Sequence, residues 1–212
     1  MICVKLENIN KSYGNNKILN DFSLSVEQGE FIAICGKSGA GKSTLLNIIG
    51  LLENPDSGNI IINNIKNPEF NANSGRKLLQ THIGYLFQNY GLIENESVNY
   101  NLKIASKFRK WDRKTETEKF SESLEKVGLN TNIESKKIFQ LSGGEQQRIA
   151  IARLLIKSPD IILADEPTGS LDVENKRIVM ELLKYLNGTG TTIILVTHDE
   201  EVRECAERII TL

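Results

Sequence analysis

Phe31-Ile32-Ala33-Ile34-Cys35, followed at once by Gly36-Lys37-Ser38-Gly39-Ala40-Gly41-Lys42-Ser43-Thr44, is the stretch on which the fold turns. Five consecutive apolar residues read as a strand buried on both faces. The second block fits G-x-x-x-x-G-K-[ST], with Gly36, Gly41, Lys42 and Ser43 at the fixed places. From Lys42 to Leu52 the apolar residues Leu45, Leu46, Ile48, Ile49 and Leu52 have helical spacing. Strand, glycine loop and helix in that order form a phosphate cradle. Glycines let successive N–H groups converge on phosphate oxygens, and the helix start adds its positive end. The Lys42 ammonium suits the β- and γ-phosphates, and the Ser43 hydroxyl suits Mg²⁺. A chance glycine-rich turn would not be expected to sit between a buried strand and an amphipathic helix.

Working outward, strands are predicted at Ile2 to Glu7, Leu19 to Val26, Asn59 to Asn63, Ile83 to Phe87, Ile161 to Ala164 and Thr191 to Val196, with a last helix and strand to Leu212. Helices are predicted over Glu145 to Lys157, stopped by Pro159, and over Val173 to Leu186. Alternating strands and helices imply an α/β fold with a mainly parallel sheet, N-terminal antiparallel strands and helices on both faces. Residues 2–212 read as one domain. Its nucleotide core covers about 2–89 and 159–212, and a nearly all-helical subdomain covers about 90–158.

Ile161-Ile162-Leu163-Ala164 ends in Asp165-Glu166. At the C-terminal edge of a parallel sheet such a tip faces the ligand crevice. Asp165 is the candidate Mg²⁺ ligand and Glu166 the candidate base that polarises an attacking water. An acidic pair opening a loop is common; its partnership with residues 36–44 gives it weight.

A phosphate loop alone spans kinases, GTPases and motors. Leu141-Ser142-Gly143-Gly144-Glu145-Gln146-Gln147-Arg148 narrows the field, because it resembles the signature motif of the ABC ATPases. Ser142-Gly143-Gly144 opens a predicted helix, so it offers a second anion cradle, and Ser142 also suits a plain helix cap. One nucleotide does not need two cradles from one chain. The resemblance implies a head-to-tail homodimer on ATP binding, in which Ser142 to Glu145 of one copy close over the γ-phosphate held by the other.

Other positions match the family in order. Gln88 matches the glutamine that senses the γ-phosphate and metal and contacts the transmembrane partner. Ser170-Leu171-Asp172 matches the loop that crosses the dimer interface. His198 matches the histidine that contacts the γ-phosphate, and Tyr13 the aromatic that stacks on adenine. A lone His or Tyr is more often structural; the ordered set makes the case. His82 has no motif. Ile93-Glu94 stands where many relatives carry a proline, beside the groove for the permease's coupling helix.

Composition fits this picture. With 26 basic and 27 acidic residues the net charge is -1, so nothing draws the chain to nucleic acid. Cys3, Cys35 and Cys205 are odd in number and scattered, as expected of reduced cytosolic thiols. There is no signal peptide pattern and no apolar run of membrane-spanning length. The resemblance therefore implies a cytoplasmic subunit, held peripherally at the inner face of the membrane by an integral permease, with ATP and Mg²⁺ as its cofactors. Thr44 and Leu141 stand 97 positions apart, and the stretch between them carries no sustained heptads and no cysteines, against the DNA-maintenance and ribosome-bound branches. Asp165-Glu166-Pro167-Thr168-Gly169-Ser170-Leu171-Asp172 is similar to the branch serving lipoprotein release, macrolide and peptide export, and cell-division mechanotransmission. Tyr85 to Asn95 looks most like bacteriocin-type peptide exporters, and frequent asparagine suggests an AT-rich bacterial genome. The alternative within that branch is a non-transporting ATPase that transmits force through a membrane protein.

Overall fold

The computed structural model describes residues 1–212. It begins with β1 (Ile2–Tyr13) and β2 (Asn16–Glu27), then β3 (Phe31–Cys35), α1 (Lys42–Ile49), β4 (Ser57–Ile62), β5 (Ile65–Lys66) and α2 (Asn73–Lys77). There follow a π-helical turn (Leu78–His82), β6 (Ile83–Leu86), α3 (Val98–Ser106), α4 (Arg113–Lys126) and α5 (Gly143–Lys157). The chain closes with β7 (Ile161–Asp165), α6 (Val173–Gly188), β8 (Thr192–Val196), α7 (Glu200–Arg203) and β9 (Arg208–Thr211).

The strands form two sheets. An antiparallel sheet has the order β2-β1-β4-β5, and a parallel sheet the order β6-β7-β8-β3-β9. Along β3, alternate side chains point to opposite faces, as the pleat requires. Ile32 and Ile34 enter a core shared with α1 and the antiparallel sheet, while Phe31 and Ala33 enter one shared with α3, α4, α5 and α6. That second core runs without a break from the sheet into the helical block, so the block has no separate core of its own.

Three expectations are corrected in detail. The first hairpin is longer than its alternation suggests, because β1 reaches Tyr13 and β2 starts at Asn16. Asn8 and Asp21 take left-handed backbone and are joined by a 2.6 Å hydrogen bond, and these irregularities hide the period of two. Helix α1 stops at Ile49, where the Gly50 N–H turns back to Leu46 and Leu51 enters the left-handed region. Residues 90–97 are not helical; Asn101, fully buried, holds this stretch by bonding both backbone atoms of Ile93.

Candidate functional site

The parallel strands deliver one set of candidates to one edge. The phosphate loop follows β3, Gln88 follows β6, Asp165 and Glu166 end β7, and His198 follows β8. Because the strands run in the same direction, all these residues lie at the carboxyl ends.

Gly36 (φ 154°), Gly39 (φ 80°) and Gly41 (φ 92°) shape the loop from Gly36 through Lys37, Ser38 and Ala40 to Thr44. At Gly41 a side chain is excluded, since its Cβ would stand 2.4 Å from Ile18 Cγ2. Ile18, in β2 just past the hairpin turn, thus lies close against the loop. Tyr13, half exposed, is the last residue of β1 before the hairpin turn, its hydroxyl donating to Glu53 Oε1 at 2.5 Å. The Lys42 ammonium is folded back on the loop, donating to the Gly36 carbonyl at 2.9 Å and the Lys37 carbonyl at 3.0 Å.

Ser43 Oγ donates to Asp165 Oδ1 at 3.2 Å. Burial pushes the Asp165 carboxyl above its usual range, and the neighbouring Glu166 adds to this, while Ser43 and Lys42 oppose it. A hydroxyl and a carboxylate are hard oxygen donors. No group of three or more His, Cys, Asp or Glu residues is placed to hold a metal. Two protein oxygens, with phosphate and water for the rest, fit Mg²⁺ rather than a softer ion in an all-protein cage.

Glu166 has left-handed backbone (φ 46°), which a non-glycine residue adopts only under constraint. Its N–H is held by the Val196 carbonyl at 3.0 Å. Its side chain, 15% exposed, lies 2.7 Å from His198 Nδ1, whose ring is 72% exposed. The half-buried carboxylate is thus steered by an imidazole at the surface. Gln88 is exposed, and its amide approaches Gly169 in the turn that begins at Glu166.

The second set lies elsewhere. Ser142 caps α5, and its box with Glu145 is closed: Ser142 N and Oγ each donate to Glu145 Oε2 at 2.8 Å, and Glu145 N donates back to Ser142 Oγ at 3.3 Å. The Ser142 backbone donor holds the Glu145 carboxyl below its usual range. Gly144 has no room for a side chain, because Asn175 Oδ1 would be 2.2 Å from its Cβ. No hydrogen bond joins residues 142–145 to residues 36–44. Within one chain, then, no hydrogen bond links the two helix starts. Ser170, Leu171 and Asp172 lead into α6, which Asp172 caps through Asn175 N at 2.8 Å.

Sequence reasoning missed what ties these parts. Asn175 bonds Asp172 Oδ2 at 2.7 Å and accepts from Arg148, clasping α5 to the start of α6. Gln147, fully buried, donates to the Pro167 carbonyl at 2.5 Å. Arg148 and Gln147 stand inside the quoted motif, yet nothing in it says what they touch. His82 is structural, its Nδ1 2.5 Å from Asp160.

Comparison with known proteins agrees with this geometry. A family model described as "ABC transporter" matches residues 19–169. The macrolide export ATP-binding/permease protein MacB of Campylobacter jejuni is 41% identical over 205 residues, covering 97% of this chain and 32% of that protein. The "Probable syringafactin export ATP-binding/permease protein SyfD" of Pseudomonas syringae is 41% identical over 192 residues, covering 91% of this chain and 29% of that protein. The chain thus spans about a third of the length of the curated relatives it matches. Among solved structures, the ATP-binding cassette MJ0796, a dimer in a post-hydrolysis state bound to ADP and Pi, superposes with a TM-score of 0.89 at 40% identity, covering 99% of this chain and 94% of that one. The chain belongs to the ABC transporter family, as one of its ATP-hydrolysing cassettes.

Proposed function

We propose that two copies of this cassette close head to tail around two ATP molecules and, by closing and reopening, drive an export permease in the membrane. The observation that carries this reading is that no hydrogen bond links the two helix starts within one chain. Lys42, Asp165, Glu166 and His198 gather at one sheet edge, and the Ser142 helix tip, a second cradle of the same chemistry, is unlinked to them. A second copy supplies the missing half.

In this reading Lys42 leaves the Gly36 and Lys37 carbonyls for the β- and γ-phosphates, and Tyr13 stacks on adenine. Ser43 and Asp165, with Gln88, would hold Mg²⁺, which would neutralise phosphate charge. Glu166 orients the attacking water. With Nδ1 of His198 spent on Glu166, Nε2 is the nitrogen left to face the γ-phosphate. From the second copy, Ser142, Gly143 and Gly144 present hydroxyl and N–H donors, and Ser170 to Asp172 cross the interface.

The permease is the proposed occupant of a groove of about 340 Å³ lined by Leu52, Phe87, Ile104, Phe108 and Leu154. No helix of the chain is long and apolar enough to cross a membrane, and the reading assigns the membrane-spanning part to the permease. A cytoplasmic place at the inner face follows from it, and so does a core at about 2–89 and 159–212 with a helical block at about 90–158. The cargo is proposed only as a class: a peptide, lipoprotein or drug moving outward. The test is Glu166→Gln with saturating Mg-ATP on a sizing column. Hydrolysis falling by about 10³-fold together with a shift to dimer supports the reading; a monomer at all ATP concentrations contradicts it.

A further inference from the structure

Gln88 is followed by Asn89-Tyr90-Gly91, a turn with an unusual backbone. Tyr90 (φ 64°) and Gly91 (φ 60°) are both left-handed. The Tyr90 N–H donates to the Phe87 carbonyl at 3.0 Å, and the Gly91 N–H to Asn89 at 2.7 Å. A side chain at Gly91 would meet the Phe87 ring at 2.6 Å, and that ring stacks on Tyr85 with centroids 4.0 Å apart. Arg153 Nη1 donates to the Gly91 carbonyl at 2.5 Å, fixing the turn to α5. Left-handed backbone at a tyrosine persists only where its surroundings over-determine it. These contacts are the constraint, and their effect is to aim the Tyr90 side chain.

The phenol reaches three regions. It lines the groove beside Phe87 and Ile104. Its hydroxyl oxygen stands against the signature tip, 2.9 Å from where a Cβ on Gly143 would lie. The same oxygen is 3.4 Å from Ser170 Oγ, at the head of the loop before α6. Gly143 and Ser170 are the parts that one copy offers to its twin, and the turn after Gln88 belongs to the copy's own nucleotide edge.

We propose that Tyr90 is a positioning residue: its hydroxyl fixes the signature tip and the Ser170 loop at one mutual distance, so that both meet the second copy together. The inference rests on the composite-site reading above. Tyr90 itself touches no nucleotide. Its removal changes the closing of the dimer and leaves the first capture of ATP by a single copy alone.

The experiment is a double-mutant cycle in the Glu166→Gln background, with Tyr90→Phe, Ser170→Ala and both together. Dimer dissociation constants in Mg-ATP come from sedimentation, and ATP affinity of the monomer from a fluorescent ATP analogue. Phenylalanine keeps the ring and the groove lining, so an unchanged melting temperature certifies the fold. The expected result is a dimer weakened about 3- to 10-fold by Tyr90→Phe, the range of one lost hydrogen bond. ATP affinity stays within about twofold, and the double variant is no weaker than the worse single one. A Tyr90→Phe dimer of unaltered strength, independent effects that multiply, or a parallel loss of ATP affinity would each overturn the proposal. If Glu166→Gln alone fails to dimerise, the composite-site reading falls, and this inference with it. A normal parent dimer that ignores Tyr90→Phe sinks the inference only.

Discussion

Two helices of this chain begin at glycine-rich turns, the two proposed anion cradles, and they begin differently. Helix α1 starts after Gly41, left-handed and with no side-chain cap. Helix α5 starts after Ser142, whose hydroxyl and N–H are closed into a box with Glu145. The first end keeps its N–H groups for an outside anion, and its own cation, Lys42, waits on loop carbonyls. The second end already satisfies itself with its own carboxylate. A phosphate arriving there must share Ser142 with Glu145, or displace it. The open cradle therefore suits first capture, and the self-capped one suits a later, conditional contact that can be released. The stability of the two ends should differ accordingly, because a capped end contributes to the fold of the single chain and an uncapped one much less.

Changes at the open end should have the largest effect. Lys42→Ala removes the ammonium folded onto the loop carbonyls and should weaken ATP binding or turnover by about 100-fold or more, read by nucleotide titration and phosphate release. Unchanged turnover would break the comparison at its first half. Ser142→Arg comes next: turnover should fall by about 100-fold while single-chain ATP affinity moves less than about threefold, because the arginine acts across the interface. An equal loss of both would mean that the two cradles serve one chain. Smaller still is Glu145→Gln. It weakens the box and should lower stability by about 1 kcal/mol in denaturant melts, whereas an exposed control such as Glu118→Gln should change almost nothing.

The far end of α5 sharpens the same contrast through pH. Lys157 donates to the carbonyls of Leu79 at 2.5 Å and Ile83 at 2.6 Å, and burial, with help from Arg153, pushes its amine down to about 8. A neutral amine still has two N–H groups, enough for both carbonyls. The folded amine thus sheds its proton near pH 8, whereas the unfolded one holds it to about 10.4. The unfolded chain binds more protons between those values, so this group's contribution to stability rises with pH across that window and is flat below it. Relative to Lys157→Met, which has no such proton, the native chain should gain about 2 kcal/mol between pH 7 and pH 9.5. A constant difference between the two would show that α5 is not anchored this way.

Much of this was legible in the sequence, and the reason differs from part to part. The five apolar residues of β3 and the loop after them could be read because a buried parallel strand and a phosphate cradle each demand a narrow residue set. The ends of β6, β7 and β8 followed from strand direction, which carries Gln88, Asp165 and His198 to one edge. The full length of the first hairpin could not be read, since Asn8 and Asp21 interrupt its alternation. The non-helical run 90–97 was equally hidden, because its anchor, Asn101, lies in the next helix. Nor could the clasp of Arg148, Asn175 and Asp172 be foreseen, because it joins residues 27 apart through geometry that only packing decides. Tyr90 is the sharpest case: a tyrosine in a loop has no spacing rule, and its aim depends on Phe87, Gly91 and Arg153 together.

The central claim concerns where Ser142 goes when ATP is bound. The most direct measurement is a structure of the Glu166→Gln protein with Mg-ATP. The account predicts Ser142 Oγ of one copy within about 3 Å of a γ-phosphate oxygen whose triphosphate lies in the glycine loop of the other copy. A γ-phosphate in that loop with no signature tip of any copy against it would contradict the account.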